Sequence, residues 1–186
     1  MVATPSTMLS LGTVAPEFML PDTVSGKEID LAAVQSDHAT VIMFICNHCP
    51  YVKHVNKELV RLANDYAPKG VAFVAVSSND VEAYPADSPQ RMKEVAAQHG
   101  YPFPYLYDED QSVARAYQAA CTPDFYVFDG QMKLAYRGQL DGSRPRNDVP
   151  LTGEDVRAAL DAILAGEPVF EEQRPSIGCN IKWKES

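Results

Sequence analysis

The run Val41-Ile-Met-Phe-Ile45 leads directly into Cys46-Asn-His-Cys49-Pro-Tyr51. An apolar, β-branched run of this length reads as a buried strand. From Tyr51 to Tyr66 the spacing turns helical, with Val52, Val55, Leu59 and Leu62 on one stripe. Pro68-Lys-Gly70 stops that helix, and Val71 to Val76 is the next buried strand. A strand, a helix and a strand in this order close through a right-handed crossover, so the two strands are parallel neighbours. The junction between the first of them and its helix carries both cysteines of a C-x-x-C.

The rest of the chain extends this α/β core. Gly12 to Asp22 reads as a short extended piece, Val24-Ser-Gly26-Lys27 as a turn and Glu28 to Leu31 as a returning short strand, an N-terminal β-hairpin. Residues 79 to 89 are a polar, Pro-marked loop, after which Ser88 caps and Pro89 opens a helix to about His99. Phe103 to Tyr107 is expected as a strand and Ser112 to Gln118 as a short helix. Phe125 to Phe128 and Leu134 to Arg137, joined through Asp129-Gly130, read as an antiparallel pair. Thr152-Gly-Glu-Asp155 starts a last helix, to about Ala165. The expected organisation is a flexible start over 1–10, one domain over 11–166, and a tail over 167–186 packed on it.

At 186 residues, 46% hydrophobic and 22% charged, the chain suits one globular domain with a full core. A net charge of −9 disfavours nucleic acid and anionic membrane surfaces as partners. Met1 to Gly12 shows neither a basic nor an apolar leader segment, and the longest apolar run is too short for a bilayer. The reducing cytoplasm is therefore the expected compartment. There, a C-x-x-C is expected to be catalytic or metal-binding rather than a structural staple.

Unpaired N–H groups and the helix dipole stabilise a thiolate at a helix N-terminus. Cysteines two residues apart also close a small ring on oxidation, so the pair can cycle without unfolding. The pattern points to reversible dithiol–disulfide chemistry. Cys46 is expected as a solvent-accessible nucleophile and Cys49 as the less exposed resolving thiol. Asn47 and His48 are the tuning residues between them, and a protonated His48 would favour the Cys46 thiolate. Cys46 and Cys49 also have the spacing of half a metal site, which His48 or His54 could join. Cys121 and Cys179 form no second close pair, so neither metal nor cofactor is expected.

The order of these elements, with a Thr122-Pro123 opening a later strand, resembles the thioredoxin superfamily. It is most similar to peroxiredoxin-like proteins of the alkyl hydroperoxide reductase and thiol-specific antioxidant group. Gly12-x-x-Ala15-Pro16-x-Phe18-x-Leu20 carries that group's N-terminal signature. The segments Cys46-Asn-His-Cys49-Pro-Tyr, Cys121-Thr-Pro123-Asp-Phe and Gly178-Cys179-Asn-Ile-Lys-Trp183 resemble redoxin-domain proteins more narrowly. The resemblance implies a thioredoxin-like fold, a central mixed sheet flanked by helices. It implies an antioxidant or redox-homeostasis role with protein disulfides, small disulfides or peroxides as substrates and an external thiol reductant. It also implies a cis Pro123 beside the dithiol, with Thr122 and Pro123 pairing to an extended substrate segment. A potential between that of thioredoxin, about −270 mV, and disulfide isomerase, about −180 mV, is expected from His48.

The chain departs from these groups at two points. In the peroxiredoxin frame Pro-x-x-x-Thr/Ser-x-x-Cys, the Pro and hydroxyl positions hold Ile42 and Cys46, or Ala39 and Met43. The strand Val41 to Ile45 lacks the buried acid of thioredoxins, and Ile45 replaces the Trp before the first cysteine. Cys121 reads either as a third redox thiol or as a small buried side chain. Cys179 reads either as a second resolving thiol delivered by the tail or as a space-filling residue. Asp80, Tyr84, Asp87, Arg144 and Arg146 lie in loops that could border the site, or are simply solvated.

Overall fold

The computed structural model describes residues 3–185. In chain order the elements are β1 (Ala3–Pro5), β2 (Met19–Pro21), β3 (Glu28–Asp30), α1 (Leu31–Val34), β4 (Ala39–Phe44) and α2 (Pro50–Tyr66). They continue as β5 (Val71–Ser77), α3 (Pro89–His99), β6 (Tyr105–Tyr107), α4 (Ser112–Ala116), β7 (Cys121–Thr122) and β8 (Asp124–Asp129). The last are β9 (Leu134–Gly138), α5 (Glu154–Leu164) and β10 (Ile177–Asn180). Two single 3₁₀ turns, Ala67–Lys69 and Pro85–Asp87, lie between them.

A five-stranded sheet in the order β6-β5-β4-β8-β9 forms the centre. The crossover through α2 makes β4 and β5 parallel, β6 continues that direction, and β8 and β9 run antiparallel. Every residue of β4 is buried because both faces of the sheet are covered. Val41, Met43 and Ile45 face α2, α3 and α5, with Val55, Leu59, Met92 and Leu160. Ile42 and Phe44 face the opposite layer, with Phe18, Leu31, Val113 and Tyr117. Each such buried side chain contributes about 1.5–3 kcal/mol from area removed from water. The α2 stripe thereby fixes the height at which Cys49 meets the sheet. Buried Glu58 on α2 is ion-paired to Arg157 of α5 at 2.7 Å, which ties these two helices together.

The sequence expectation of an N-terminal hairpin matches β2 and β3, which pair from Met19↔Asp30 to Pro21↔Glu28. Leu31 opens α1 rather than ending a strand: the Asp30 carboxylate accepts from Ala33 N–H at 2.8 Å, and a helix of four residues shows no readable period. Ser88 stands at the cap of α3 without a side-chain capping bond. The expected strand from Phe103 begins only at Tyr105.

The two ends of the chain pair with each other. The start is not a flexible segment over its described part. Ala3, Thr4 and Pro5 pair antiparallel with Cys179, Gly178 and Ile177, because β10 offers an edge whose N–H and C=O groups need partners. Met1 and Val2 lie outside the described residues. The aperiodic tail in turn supplies β10, the middle strand of a second sheet, β1-β10-β7. Glycine makes that seating possible at two points. A Cβ on Gly138, whose φ is +131°, would collide with the Arg174 carbonyl, and one on Gly178 would collide with the Thr122 carbonyl.

Candidate active site

The loop after β4 delivers Cys46, and Cys49 occupies the N-cap of α2 with Pro50 as the first helical residue. Thr122 and Pro123, joined by a cis peptide bond, lie across from both cysteines. Cys46 Sγ is 3.4 Å from Thr122 Oγ1, and Cys49 Sγ is 3.3 Å from the Thr122 carbonyl oxygen. The tail contributes the third sulfur. Cys179 Sγ lies 2.7 Å from Cys49 Sγ, because β10 pairs Cys179 with Thr122. None of the cysteines is joined in a disulfide.

All three sulfurs are withdrawn from solvent: Cys46 is 2%, Cys49 0% and Cys179 1% exposed. The expectation of an accessible Cys46 with a depressed pKa is reversed here. The hydrogen bond to Cys49, then burial and the Asp87 charge, push the Cys46 thiol well up. Cys49 is brought from 9.0 down to about 5, first by the Cys46 hydrogen bond. The Cys179 thiol and the N–H groups of Val52 and Cys179 add to this against the effect of burial. Those donors outnumber the single Thr122 carbonyl, to which Cys49 donates when protonated. Burial, the hydrogen bond to Cys49 and its charge raise Cys179 to about 12. The cluster therefore holds one anion, centred on Cys49 at the helix N-terminus.

Asp87, fully buried in the 3₁₀ turn after β5, organises the loop between the cysteines. Its Oδ1 accepts the N–H groups of Asn47 at 2.8 Å and His48 at 3.1 Å. Its Oδ2 meets His48 Nδ1 at 2.5 Å and accepts from Asn79 Nδ2 at 2.8 Å. Burial alone would raise this carboxyl, but the His48 and Asn79 hydrogen bonds outweigh it and hold it below the usual range. The His48 ring stacks on Tyr84 at 5.4 Å, and Lys182 Nζ lies 5.5 Å from the other ring's centre. Asn47 donates to the Ala86 carbonyl at 2.9 Å and accepts from the Tyr105 hydroxyl at 3.0 Å. An open groove of about 550 Å³ runs beside Asn47 and His48, lined also by Lys53, Pro85, Arg91 and Glu94.

The remaining expected residues fall outside this cluster. The Cys121 thiol points at the Pro123 carbonyl, 3.9 Å away, and burial raises its pKa. Arg144 is tied to the carbonyls of Asp141 and Ser143 and to Gln139, and Arg146 is exposed. The Asp80 carboxylate accepts from the Glu82 N–H at 3.0 Å. His54 is bonded to Ser143 at 2.8 Å. Asn79 and Asp124 were not singled out by the sequence. Asp124 on β8, opposite Phe44, is buried, accepts from the Tyr126 hydroxyl at 3.2 Å, and is raised by burial to about 7. The donor atoms of Cys46, His48 and Asp87 lie within 4.8 Å of one another. The Asp87 oxygens there already hold four hydrogen bonds, and one of them uses the His48 nitrogen that faces the cluster. A metal ion would have to displace them, so the donor set does not fit one as it stands.

A mixed sheet flanked by helices, with a C-x-x-C at a helix N-terminus beside a cis-proline, defines a thioredoxin-like fold of the redoxin type. Residues 11–137 match the AhpC/TSA family, and the chain belongs to that family. A conserved, uncharacterized protein from Geobacillus kaustophilus is 66% identical, with TM-score 0.99 over 100% of this chain and 98% of its own. A hypothetical protein from Sinorhizobium meliloti is 46% identical, with TM-score 0.96 over 98% of this chain and 100% of its own. A secreted Mycobacterium tuberculosis disulfide oxidoreductase shares the fold at 16% identity, with TM-score 0.61 over 78% of this chain and 95% of its own. No curated protein matches the chain. No helix among the described residues is long and apolar enough to cross a membrane.

Proposed function

We propose that this protein is a thiol–disulfide oxidoreductase that exchanges a Cys46–Cys49 dithiol with protein or small-molecule disulfides. The observation that carries the reading is the placement of Cys49 at the N-cap of α2 with Cys46 one loop before it, both sulfurs within 3.4 Å of Thr122 and beside cis Pro123. The two sulfurs share one proton. Moving it from Cys46 to Cys49 along their hydrogen bond creates a Cys46 thiolate without an outside base. A thiolate of higher pKa is also the stronger nucleophile. Cys46 attacks a substrate disulfide, one substrate thiolate leaves, and a mixed disulfide forms. Cys49 then loses its proton and attacks Cys46 Sγ, releasing the second substrate thiol and closing the Cys46–Cys49 disulfide. An external thiol reductant restores the dithiol. Asn47, His48 and Asp87 hold the loop, and Thr122 and Pro123 form the wall beside the dithiol, against which a substrate lies once β10 has moved off the Thr122 edge.

One observation favours a second reading, a thiol peroxidase. Thr122 brings to within 3.4 Å of Cys46 the hydroxyl that the peroxiredoxin frame lacks in this sequence. The two readings separate in a single experiment. Fully reduced protein is mixed with a protein disulfide or with hydrogen peroxide, and the oxidised cysteines are located by mass spectrometry. Rapid closure of Cys46–Cys49 by the disulfide, with slow reaction toward peroxide, is expected. Fast formation of a sulfenic acid on Cys46 or Cys49 would replace the first reading with the second. The measured potential is expected between about −270 and about −180 mV, since a stabilised thiolate makes the couple more oxidising.

A further inference from the structure

The outer edge of β7 is taken by β10, which sets Cys179 opposite Thr122 and Asn180 opposite Cys121. Any extended segment paired at this edge would bring its residue opposite Thr122 to the Cys46–Cys49 pair, and here that residue is a cysteine of the same chain. Three contacts hold the strand in register. Gly178 lies so close to the Thr122 carbonyl that no Cβ fits. Ser176 Oγ donates to the Pro123 carbonyl. On its far edge β10 is closed by β1. The Cys179 and Cys49 sulfurs are 2.7 Å apart, although the residues are 130 positions apart.

We propose that β10 is a tethered internal substrate and that Cys179 is a third redox cysteine, exchanging with the Cys46–Cys49 disulfide through Cys49. The proposal rests on the oxidoreductase reading above. In the exchange the Cys179 thiol gives up its proton and its sulfur attacks Cys49 Sγ. The Cys46–Cys49 bond breaks, the Cys49–Cys179 bond forms, and Cys46 leaves as a thiolate that takes up the proton. The number of disulfides is unchanged, so no further oxidant enters. The product pins the tail over the β7 edge and returns Cys46 as a thiol. The tail thus stores the oxidised state while closing the edge to an outside segment. Once Cys49 is in a disulfide, its charge no longer opposes ionisation of Cys179.

The test uses the full chain and oxidised glutathione as probe, with acid quenching, alkylation and peptide mapping under non-reducing conditions. Wild type is expected to give both Cys46–Cys49 and Cys49–Cys179 peptides. Cys46→Ser is expected to end as Cys49–Cys179, after Cys179 displaces glutathione from Cys49. Gly178→Ala retains every thiol but lifts the strand, and should lower the Cys49–Cys179 fraction at least about tenfold while Cys46–Cys49 persists. If wild type yields only Cys46–Cys49, and Cys46→Ser keeps glutathione on Cys49 with Cys179 alkylated, the relay is overturned and the oxidoreductase reading stands. If Cys46 and Cys49 both stay reduced in wild type, the oxidoreductase reading falls and the relay with it.

Discussion

Replacing Cys49 by serine should change not only the stability of the reduced protein but the way that stability depends on pH. Cys49 titrates at about 5 in the fold against an ordinary 9.0, because the Cys46 and Cys179 thiols and two N–H groups face it. Between these values the unfolded chain holds a proton that the folded chain has lost, so stability rises with pH. The rise approaches about 1.4 kcal/mol per pH unit, or about 2 kcal/mol between pH 5 and pH 7 because Cys49 is half ionised at the lower end. It is absent below pH 5 and complete above pH 9. Cys46, raised in the fold, is protonated in both states across this window and adds no slope. Asp124 runs the other way: raised from 3.8 to about 7, it makes stability fall as pH climbs between those values. The quantity to measure is therefore the difference between wild type and Cys49→Ser, from urea unfolding of reduced protein at pH 5, 6, 7 and 8. A difference that grows with pH is expected, and it should disappear after oxidation. A difference independent of pH would refute the placement of the anion on Cys49.

Asp124→Asn should remove the opposing slope, leaving a variant whose stability no longer declines from about pH 4 to pH 7; parallel urea titrations of the two proteins check this. Asp87→Ala leaves the N–H groups of Asn47 and His48 unpaired. It should cost about 3–5 kcal/mol and slow disulfide exchange, read by denaturant unfolding and by stopped-flow mixing with a protein disulfide. Arg157→Ala leaves the buried Glu58 carboxylate with Arg61 alone, and a loss of about 1.5–3 kcal/mol with unchanged exchange chemistry is expected in the same pair of assays. Leu59→Ala, in the stripe that seats α2, should destabilise by about 2–5 kcal/mol without moving the pH of thiolate formation followed by ultraviolet absorbance.

The central fold was legible because its signals are local. β4 and β5 are uninterrupted apolar runs, α2 carries a four-residue stripe between them, and a right-handed crossover leaves one arrangement. The N-terminal hairpin and the β8–β9 pair were legible for the same reason, each joined by a turn with readable residues. What failed was short. Four residues of α1 cannot display a helical period, and β1 begins with Ala3-Thr-Pro5, whose only reason to be extended is the edge of β10. β10 itself is Ile177-Gly-Cys-Asn180, which has neither alternation nor strong strand propensity. Its conformation comes from the partners on both sides, and neither is near it in sequence.

The same contrast divides the site. Cys46, Asn47, His48 and Cys49 could be read because one junction supplies them all, and cis Pro123 because a resemblance pointed to it. The location of the charge could not be read. Proximity to a helix start suggested Cys46, but the helix begins at Pro50, so its N-terminus serves the residue at its cap, Cys49. The other donors reach that sulfur from Cys46 and from a strand at the far end of the chain. A thiol's pKa is set by what surrounds the sulfur, and here half the surroundings arrive through the β7–β10 pairing. The tail is therefore part of the same acid–base unit as the dithiol. Lifting β10 off β7 removes the two Cys179 bonds that lower the pKa of Cys49 and, by uncovering the sulfur, part of the burial that raises it, so access to the site and the charge on its thiol change through a single contact.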